Sequence, residues 1–339
     1  MKKTTVFLLA GIVLFCMAVA AGLLLRTEQK DESNGTIKIG VAIYYGDDTF
    51  ISNVTNSLSD IVAKYEQETG VRLYLGTADA QGKQETQNNQ IERFLALDYD
   101  VLAVNLVDRT NAAYIIDKAM AKNVPVIFFN REPVQADLQK WDRLCYIGTD
   151  AVENGRLEGS IVVDAYHADR AALDKNGDGI LQYIMIEGEI RHQDAVIRTE
   201  ESIQAIRDAG IAVEKLDGGI ADWERSQAAA LAEQYFREYG DQIEVIICNN
   251  DDMALGVIDT IDRLGLDFRS VVGIDGTPQG LKAVQEGRML GTVVIDYQAH
   301  AELIFQAAYA LATGQRAEDV MQVGQDRSIR APMYVVKSE

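Results

Sequence analysis

A chain of 339 residues with 52 Asp and Glu against 32 Lys and Arg carries a formal net charge of −20, a balance that repels phosphate backbones and argues against a nucleic-acid partner. Its length suits two domains of ordinary size, each with its own core. Of its three cysteines, Cys145 and Cys248 lie in apolar runs where a free thiol packs as a small hydrophobe, so no disulfide framework is expected.

The chain opens on Lys2-Lys3, an uncharged apolar stretch at residues 4–25, then Arg26 and a polar segment reaching Asn34-Gly35. This is an export signal, which places the protein in the periplasm or at the cell surface. Ala18 to Ala20 supply small residues for cleavage. Leu23 to Leu25 extend the run to the roughly 20 residues that a bilayer span needs, so a removable signal peptide and a retained membrane anchor both stay open. Cys16 follows bulky Phe15, where a lipoprotein signal carries a small residue, which argues against lipidation.

After a linker at residues 26–36, short β-branched runs alternate with longer amphipathic stretches. Ile37 to Ile43, Val71 to Leu75, Val101 to Val104, Val126 to Phe129 and Leu144 to Ile147 read as strands. Tyr183 to Ile186, Ile211 to Leu216, Val245 to Cys248, Val271 to Ile274 and Thr292 to Ile295 repeat the pattern. Helical stretches include Phe50 to Glu68, Gln84 to Leu97, Arg198 to Ala209, Trp223 to Tyr239 and Met253 to Leu264. Repeated βα units predict an α/β protein built on parallel sheets.

Polar residues collect where the strands end. Asp47-Asp48, Asn105, Asn130, Asn249-Asn250-Asp251-Asp252, Asp275 and Asp296 each follow an apolar run. Open parallel sheets bind ligands beyond the carboxyl ends of their strands. Some of these residues serve as helix caps instead, with Asp47 and Asp251 the best candidates. Amides that donate and accept, beside carboxylates that accept, suit a hydroxyl-rich ligand better than an anion.

The run Asp174-Lys-Asn176-Gly-Asp178-Gly179-Ile180-Leu-Gln182 has the oxygen spacing of a calcium loop, with Gly179 sixth, where the sharp turn falls. The twelfth position is Met185, within a strand-like run, so the bidentate carboxylate of an EF-hand is missing. A distant group must close the coordination sphere. An Asx-rich turn between helix and strand is the plainer alternative.

From about Ile37 to Val336 the chain resembles the periplasmic sugar-binding proteins of the ribose and galactose type, most closely their galactose/glucose-binding branch. The resemblance rests on Ile39-Gly-Val-Ala-Ile-Tyr44, Asp47-Asp48-Thr-Phe50, Asn105-Leu-Val-Asp108, Asn123-Val-Pro-Val-Ile-Phe-Phe-Asn130, Tyr146-Ile-Gly-Thr-Asp150, the loop at Asp174 and Ile243 to Asp251. It implies the periplasmic binding protein type I fold: two doubly wound parallel-sheet lobes joined by three hinge crossovers that close on a monosaccharide. The lobes are expected at residues 37–130 with 296–328, and at residues 131–295 with 329–339. By resemblance Asp48, Asn105, Asp194, Arg198, Asn250 and Asp275 face sugar hydroxyls, with His192 beside them, and Phe50 and Trp223 sandwich the ring. Bland roles exist for each: a helix-face charge for Arg198, a core ring for Phe50, a surface pair for His192 and Asp194.

The same resemblance makes Glu244 the missing bidentate ligand of a Ca2+ site with Asp174, Asn176, Asp178, Gln182 and the Ile180 carbonyl. One position departs from it: Ile295, before Asp296, stands where this branch carries an amide that reaches a sugar hydroxyl. The implied role is a non-enzymatic, monomeric receptor that delivers glucose or galactose to an ABC transporter permease. Its alternative is a sensor feeding a chemoreceptor or membrane kinase. Asp48, Asp194 and Asp275 would also serve a glycoside-processing enzyme, but they look committed to fixing hydroxyls.

Overall fold

A computed structural model describes residues 35–338 apart from Arg191; the export segment at residues 4–25, Cys16 and most of the linker lie outside the described residues. Among the described residues no helix is long and apolar enough to cross a membrane.

The chain runs through β1 (Ile37–Ile43), α1 (Thr49–Thr69), β2 (Leu73–Asp79), α2 (Gln84–Ala96), β3 (Val101–Val104), α3 (Ala112–Lys122), β4 (Val126–Phe129), α4 (Gln135–Leu138) and β5 (Leu144–Gly148). A second series follows: α5 (Ala151–Ala168), α6 (Arg170–Leu173), β6 (Ile180–Glu187), α7 (Gln193–Asp208), β7 (Ala212–Ile220), α8 (Arg225–Tyr239) and β8 (Val245–Cys248). It continues with α9 (Asp251–Leu264), β9 (Val271–Asp275), α10 (Pro278–Gln285) and β10 (Gly291–Ile295), before α11 (Tyr297–Ala312), β11 (Ser328–Arg330) and β12 (Met333–Lys337).

These strands form two six-stranded sheets, ordered β11-β5-β4-β3-β1-β2 and β12-β10-β9-β8-β6-β7. Stripped of their last strand, both follow one doubly wound order, with the reversal between β1 and β3 in the first sheet and between β6 and β8 in the second. A crevice opens at such a reversal, so the order itself fixes where a ligand belongs. The central strands are apolar and buried on both faces, as β3 (VLAV) and β8 (VIIC) show. The edge strands β2 and β7 are half-exposed and carry charged residues, which discourages pairing with another sheet. β12 is the exception in direction, running antiparallel to β10.

The chain passes between the sheets three times: from β5 to α5, from β10 to α11, and from β11 to β12. This corrects the lobe boundaries expected from sequence. β5 pairs in parallel with β4 and with β11, so residues up to Gly148 belong to the first lobe and the crossing comes after them, not at Asn130. An apolar strand buried on both faces fits either sheet equally well, and only its hydrogen-bonding partners decide. After the second crossing α11 returns to the first lobe, where Phe305 and Tyr309 pack on Tyr65 of α1 with ring centroids 5.0 Å apart in each pair.

In the second lobe α5 and α7 cross closely because Gly155 and Gly159 face α7. A Cβ on Gly155 would stand 2.9 Å from the Arg198 carbonyl, and one on Gly159 would stand 2.3 Å from that of Ser202. That approach sets the height of Arg198 behind the crevice.

Candidate functional site

The strand ends act as helix caps and as pocket walls at once. Asp48 Oδ1 accepts from the Ile51 amide at 2.9 Å, and Asn250 Oδ1 accepts from the Met253 amide at 3.0 Å, satisfying N-terminal donors of α1 and α9. His192 caps α7 through Nδ1, which accepts from the Asp194 amide at 3.2 Å. Each capping bond leaves the rest of the side chain to look across the crevice. Asp47 and Asp251 do not fill the capping roles expected for them. Asp251 is instead buried at the start of α9, accepting from the Thr277 amide at 2.7 Å and from Thr292 Oγ1 at 2.6 Å, and burial pushes its carboxyl up to about 7.

One pocket between the lobes gathers eight of the nine ligand residues expected from sequence: Asp48, Phe50, His192, Asp194, Arg198, Trp223, Asn250 and Asp275. Asn105 is the ninth and does not line it. Its side chain is wholly buried, accepting from the Tyr44 amide at 3.3 Å and donating to Asn130 Oδ1 at 3.0 Å. Asn130 is the amide that reaches the pocket. Asn105 holds its oxygen and leaves the NH2 group to donate.

Arg198 organises the floor. Buried to 5% exposure, it donates from Nη1 to the Asn249 carbonyl at 2.9 Å and lies 4.0 Å from Asp194 and 3.9 Å from Asp275. Burial pushes both carboxyls above the usual range, Asp275 furthest, while Arg198 pulls them back. His192 is held well below its ordinary pKa by burial and by Arg131, Arg198 and Arg109, so its imidazole stays neutral near pH 7. The carboxylates of Asp48, Asp194 and Asp275, the guanidiniums of Arg131 and Arg198 and the amides of Asn130 and Asn250 therefore share one pocket with the rings of Phe50 and Trp223. Such a set reads hydroxyl groups.

Three of these wall residues sit on backbone that L-amino acids rarely adopt: Asn130 at φ 60°, Trp223 at φ 67° and Asp275 at φ 120°. Strain collected at one pocket points to function. Gly188 completes the arrangement, because a Cβ there would meet the Trp223 ring at 2.3 Å. Gly188→Ala is expected to displace the indole and weaken ligand affinity by about tenfold, the order of one lost aromatic contact. Calorimetry reads the loss, and an unchanged Kd would mean that Trp223 does not touch the ligand.

Phe50, on the opposite wall, is backed by His300 of α11, ring centroids 5.9 Å apart. Burial lowers the His300 pKa to about 4, with the Ile147 backbone opposing weakly. Since the folded pKa lies below the unfolded one, the stability tied to neutral His300 is complete above pH 6.5 and lost as pH falls towards 4. His300→Phe is expected to spare roughly 3 kcal/mol of that acid loss, at about 1.4 kcal/mol per pH unit over the interval from 6.5 to about 4. Urea melts at pH 7 and pH 4.5 test it: the advantage of the variant should appear only at the lower pH.

Two residues that sequence reading missed, Tyr44 and Arg131, also line the pocket. The Arg131 guanidinium lies 3.6 Å over the Tyr44 ring and pairs with Glu189 of the second lobe at 2.7 Å, while Tyr44 donates its hydroxyl to Asp48 at 2.6 Å. Both follow strand ends, β1 and β4, which was the available signal.

A family profile described as Periplasmic binding protein domain matches residues 39–316. The chain is 33% identical over 304 residues to the D-galactose/methyl-galactoside binding periplasmic protein of Haemophilus influenzae, covering 89% of this chain and 90% of that one. The chain belongs to the periplasmic binding protein family. It is also 28% identical to the putative rhizopine-binding protein of Rhizobium meliloti, over 90% of this chain and 92% of that one. Among solved structures it is similar to an ABC transporter solute binding protein from Bacillus halodurans with bound myo-inositol: TM-score 0.74, 25% identity, covering 91% of this chain and 96% of that one. These matches agree with a periplasmic binding protein of type I, two parallel-dominated lobes included.

The acidic loop lies in the second lobe of this periplasmic binding protein, between α6 and β6, and Glu244 stands inside it. Glu244 Oε1 accepts from the Lys175 amide at 2.6 Å, and Oε2 from the Gln182 amide at 3.1 Å. Asp178 Oδ1 accepts from the Ile180 amide at 2.8 Å, and Asn176 Nδ2 donates to Gln182 Oε1 at 3.1 Å. Asp174 Oδ1 is buried with no protein partner. Among the described residues no three carboxylate, imidazole or thiol groups form a ready-made metal cluster. The donor set mixes carboxylates with amides and a backbone carbonyl, all oxygen, the chemistry of a hard cation. Ile295, the departure noted in sequence, is buried at the end of β10 and pairs with Met333; it does not line the pocket.

Proposed function

We propose that this protein is an extracytoplasmic receptor for a monosaccharide, a hexose such as galactose or glucose, which it delivers to an ABC importer without chemical change. The observation that carries the reading is the convergence of Asp194, Asp275 and Arg198 with the amides of Asn130 and Asn250 in a pocket that the rings of Phe50 and Trp223 also line. A pyranose offers hydroxyls at its rim and C–H patches on its faces, and this pocket supplies both planar polar groups and two aromatic rings to meet them. The relatives named for galactosides and for a rhizopine, and a neighbour with bound myo-inositol, lend support for a cyclic polyol. The carboxylates serve as acceptors: Asp48 is tied to the Ile51 amide and Tyr44, and Asp194 and Asp275 flank Arg198.

Titration calorimetry with galactose, glucose, ribose, arabinose and myo-inositol tests this reading. Saturable binding of a hexose supports it, and absence of heat from every sugar overturns it. Because Ile295 brings no polar group to the pocket, the sugar preferred is expected to need one hydroxyl contact fewer, a difference of order 1 kcal/mol among hexoses.

We further propose that the loop at Asp174 binds Ca2+, through the side chains of Asp174, Asn176, Asp178, Gln182 and Glu244 and the Ile180 carbonyl. The unpartnered buried oxygen of Asp174 is the support for it. Bound there, the ion would tie the turn before β6 to the chain entering β8.

A further inference from the structure

The core-facing stripe of α5 carries two residues that a protein interior rarely accepts. Ala151, Ile161, Val162 and Tyr166 are buried as the helical period requires, yet the same stripe holds Asn154 and Glu158, both at 0% exposure. Four positions apart, the two are neighbours on the helix surface. Beside them in sequence stand Gly155 and Gly159, the residues that let α7 approach. A Cβ on Gly155 would lie 3.1 Å from Arg198 Cα, so Asn154 and Glu158 sit in the layer directly behind Arg198.

Four buried polar atoms of this layer have no hydrogen-bond partner among the described residues: both carboxyl oxygens of Glu158, Asn154 Oδ1 and Arg198 Nε. The other polar atoms are committed. Asn154 Nδ2 donates to Thr149 Oγ1 at 2.7 Å, which leaves Oδ1 free, and Arg198 Nη1 donates to the Asn249 carbonyl. The charges that face Glu158 are Arg198 of α7 and Asp251 at the start of α9, and the Cys248 thiol of β8 faces it as well. Burial raises the Glu158 carboxyl well above the usual carboxylate range, with Arg198 opposing and Asp251 adding to the rise. A carboxyl that keeps its proton both donates and accepts, which complements an Asn oxygen and an arginine N–H. Groups of this kind, buried and unpartnered, are what an internal water joins, with about three hydrogen bonds.

We propose that Glu158 is a positioning residue of the sugar site: through one buried water shared with Asn154, its carboxyl group holds Arg198 Nε and so fixes the plane of the guanidinium that Asp194 and Asp275 flank. The role rests on the sugar reading above and extends the site one layer beyond the pocket walls. Because the link runs through Nε, it leaves both Nη groups to the pocket and to the Asn249 carbonyl.

The test is calorimetry on the whole protein with the hexose that binds. Glu158→Met keeps the length of the side chain without its hydrogen bonds, and it is expected to weaken the sugar by about tenfold. Glu158→Gln offers an oxygen and an NH2 group in the same place and should recover affinity to within roughly threefold of wild type. In an Arg198→Lys background, which keeps the charge but has no Nε, Glu158→Met should cost less than about threefold more. Equal losses in the two backgrounds refute positioning through Nε, as does a Glu158→Gln protein no better than Glu158→Met. If a sugar binds and Glu158→Met matches wild type, the positioning role falls while the sugar reading stands; if no sugar binds, both fall together. Should Glu158→Met not fold, a crystal structure of the wild-type protein decides. An ordered water within roughly 3.2 Å of Glu158, Asn154 Oδ1 and Arg198 Nε supports the bridge, and a dry layer there refutes it.

Discussion

Replacing Arg198 with Met is expected to lower sugar affinity by on the order of 10²–10⁴-fold, since breaking a buried charge cluster from one side costs roughly 3–5 kcal/mol. Arg198 stands between Asp194 and Asp275, and burial already pushes both carboxyls upward. Without the guanidinium they would take up protons, and two acceptors would become partial donors pointing at the same hydroxyls. The Asn249 carbonyl would lose its donor as well. Arg198→Lys keeps the charge but not the fork, so it should fall between wild type and Arg198→Met. Calorimetry on variants shown to be folded by circular dichroism provides the measurement, and a Kd unchanged in Arg198→Met would remove Arg198 from the binding site.

The second large effect concerns stability. If the loop at Asp174 holds Ca2+, chelation is expected to remove about 4 kcal/mol when the ion had been present at a thousandfold its Kd. That corresponds to a fall in Tm of roughly 8–16 °C at a few degrees per kcal/mol. Sugar affinity should change by less than about threefold, because no residue of the loop lines the sugar pocket. Glu244→Ala should lower Tm further, even in chelator. Glu244 is 1% exposed and accepts from the backbone amides of Lys175 and Gln182, so its loss strands donors that do not depend on the ion. A melting curve indifferent to chelator and added Ca2+ would leave the loop an Asx-rich turn organised by Glu244 alone.

The parallel-sheet architecture was legible because β3, β4, β8 and β9 are apolar runs with nothing else to do but lie in a sheet covered on both faces. Which sheet claims a given run is a matter of distant pairing, and β5 shows the consequence: its apolar residues gave no hint that β4 and β11 would hold it in the first lobe. The same limit explains the exchange of Asn105 for Asn130. Both follow strands of one sheet, and both are amides. Only the left-handed backbone at Asn130 turns its side chain into the pocket, while Asn105 stays below and supports it. Arg131 and Tyr44 escaped notice because stacking across a turn has no sequence period. Glu244 was reachable only through the family resemblance, since 62 residues separate it from the Gln182 amide it holds. The dependence of Trp223 on the absent Cβ of Gly188 appears only in three dimensions.

The three passages between the lobes bear on how such a receptor moves. Residues 149–150, residue 296 and residues 331–332 are all that lie between elements committed to different sheets. Three tethers of one or two residues, each attached to stiff elements on both sides, leave little freedom to twist or slide. What survives is bending, a single soft angle. Ligand contacts on either wall then work against the same mechanical degree of freedom, so the rate of release is governed by one opening event in place of many independent ruptures.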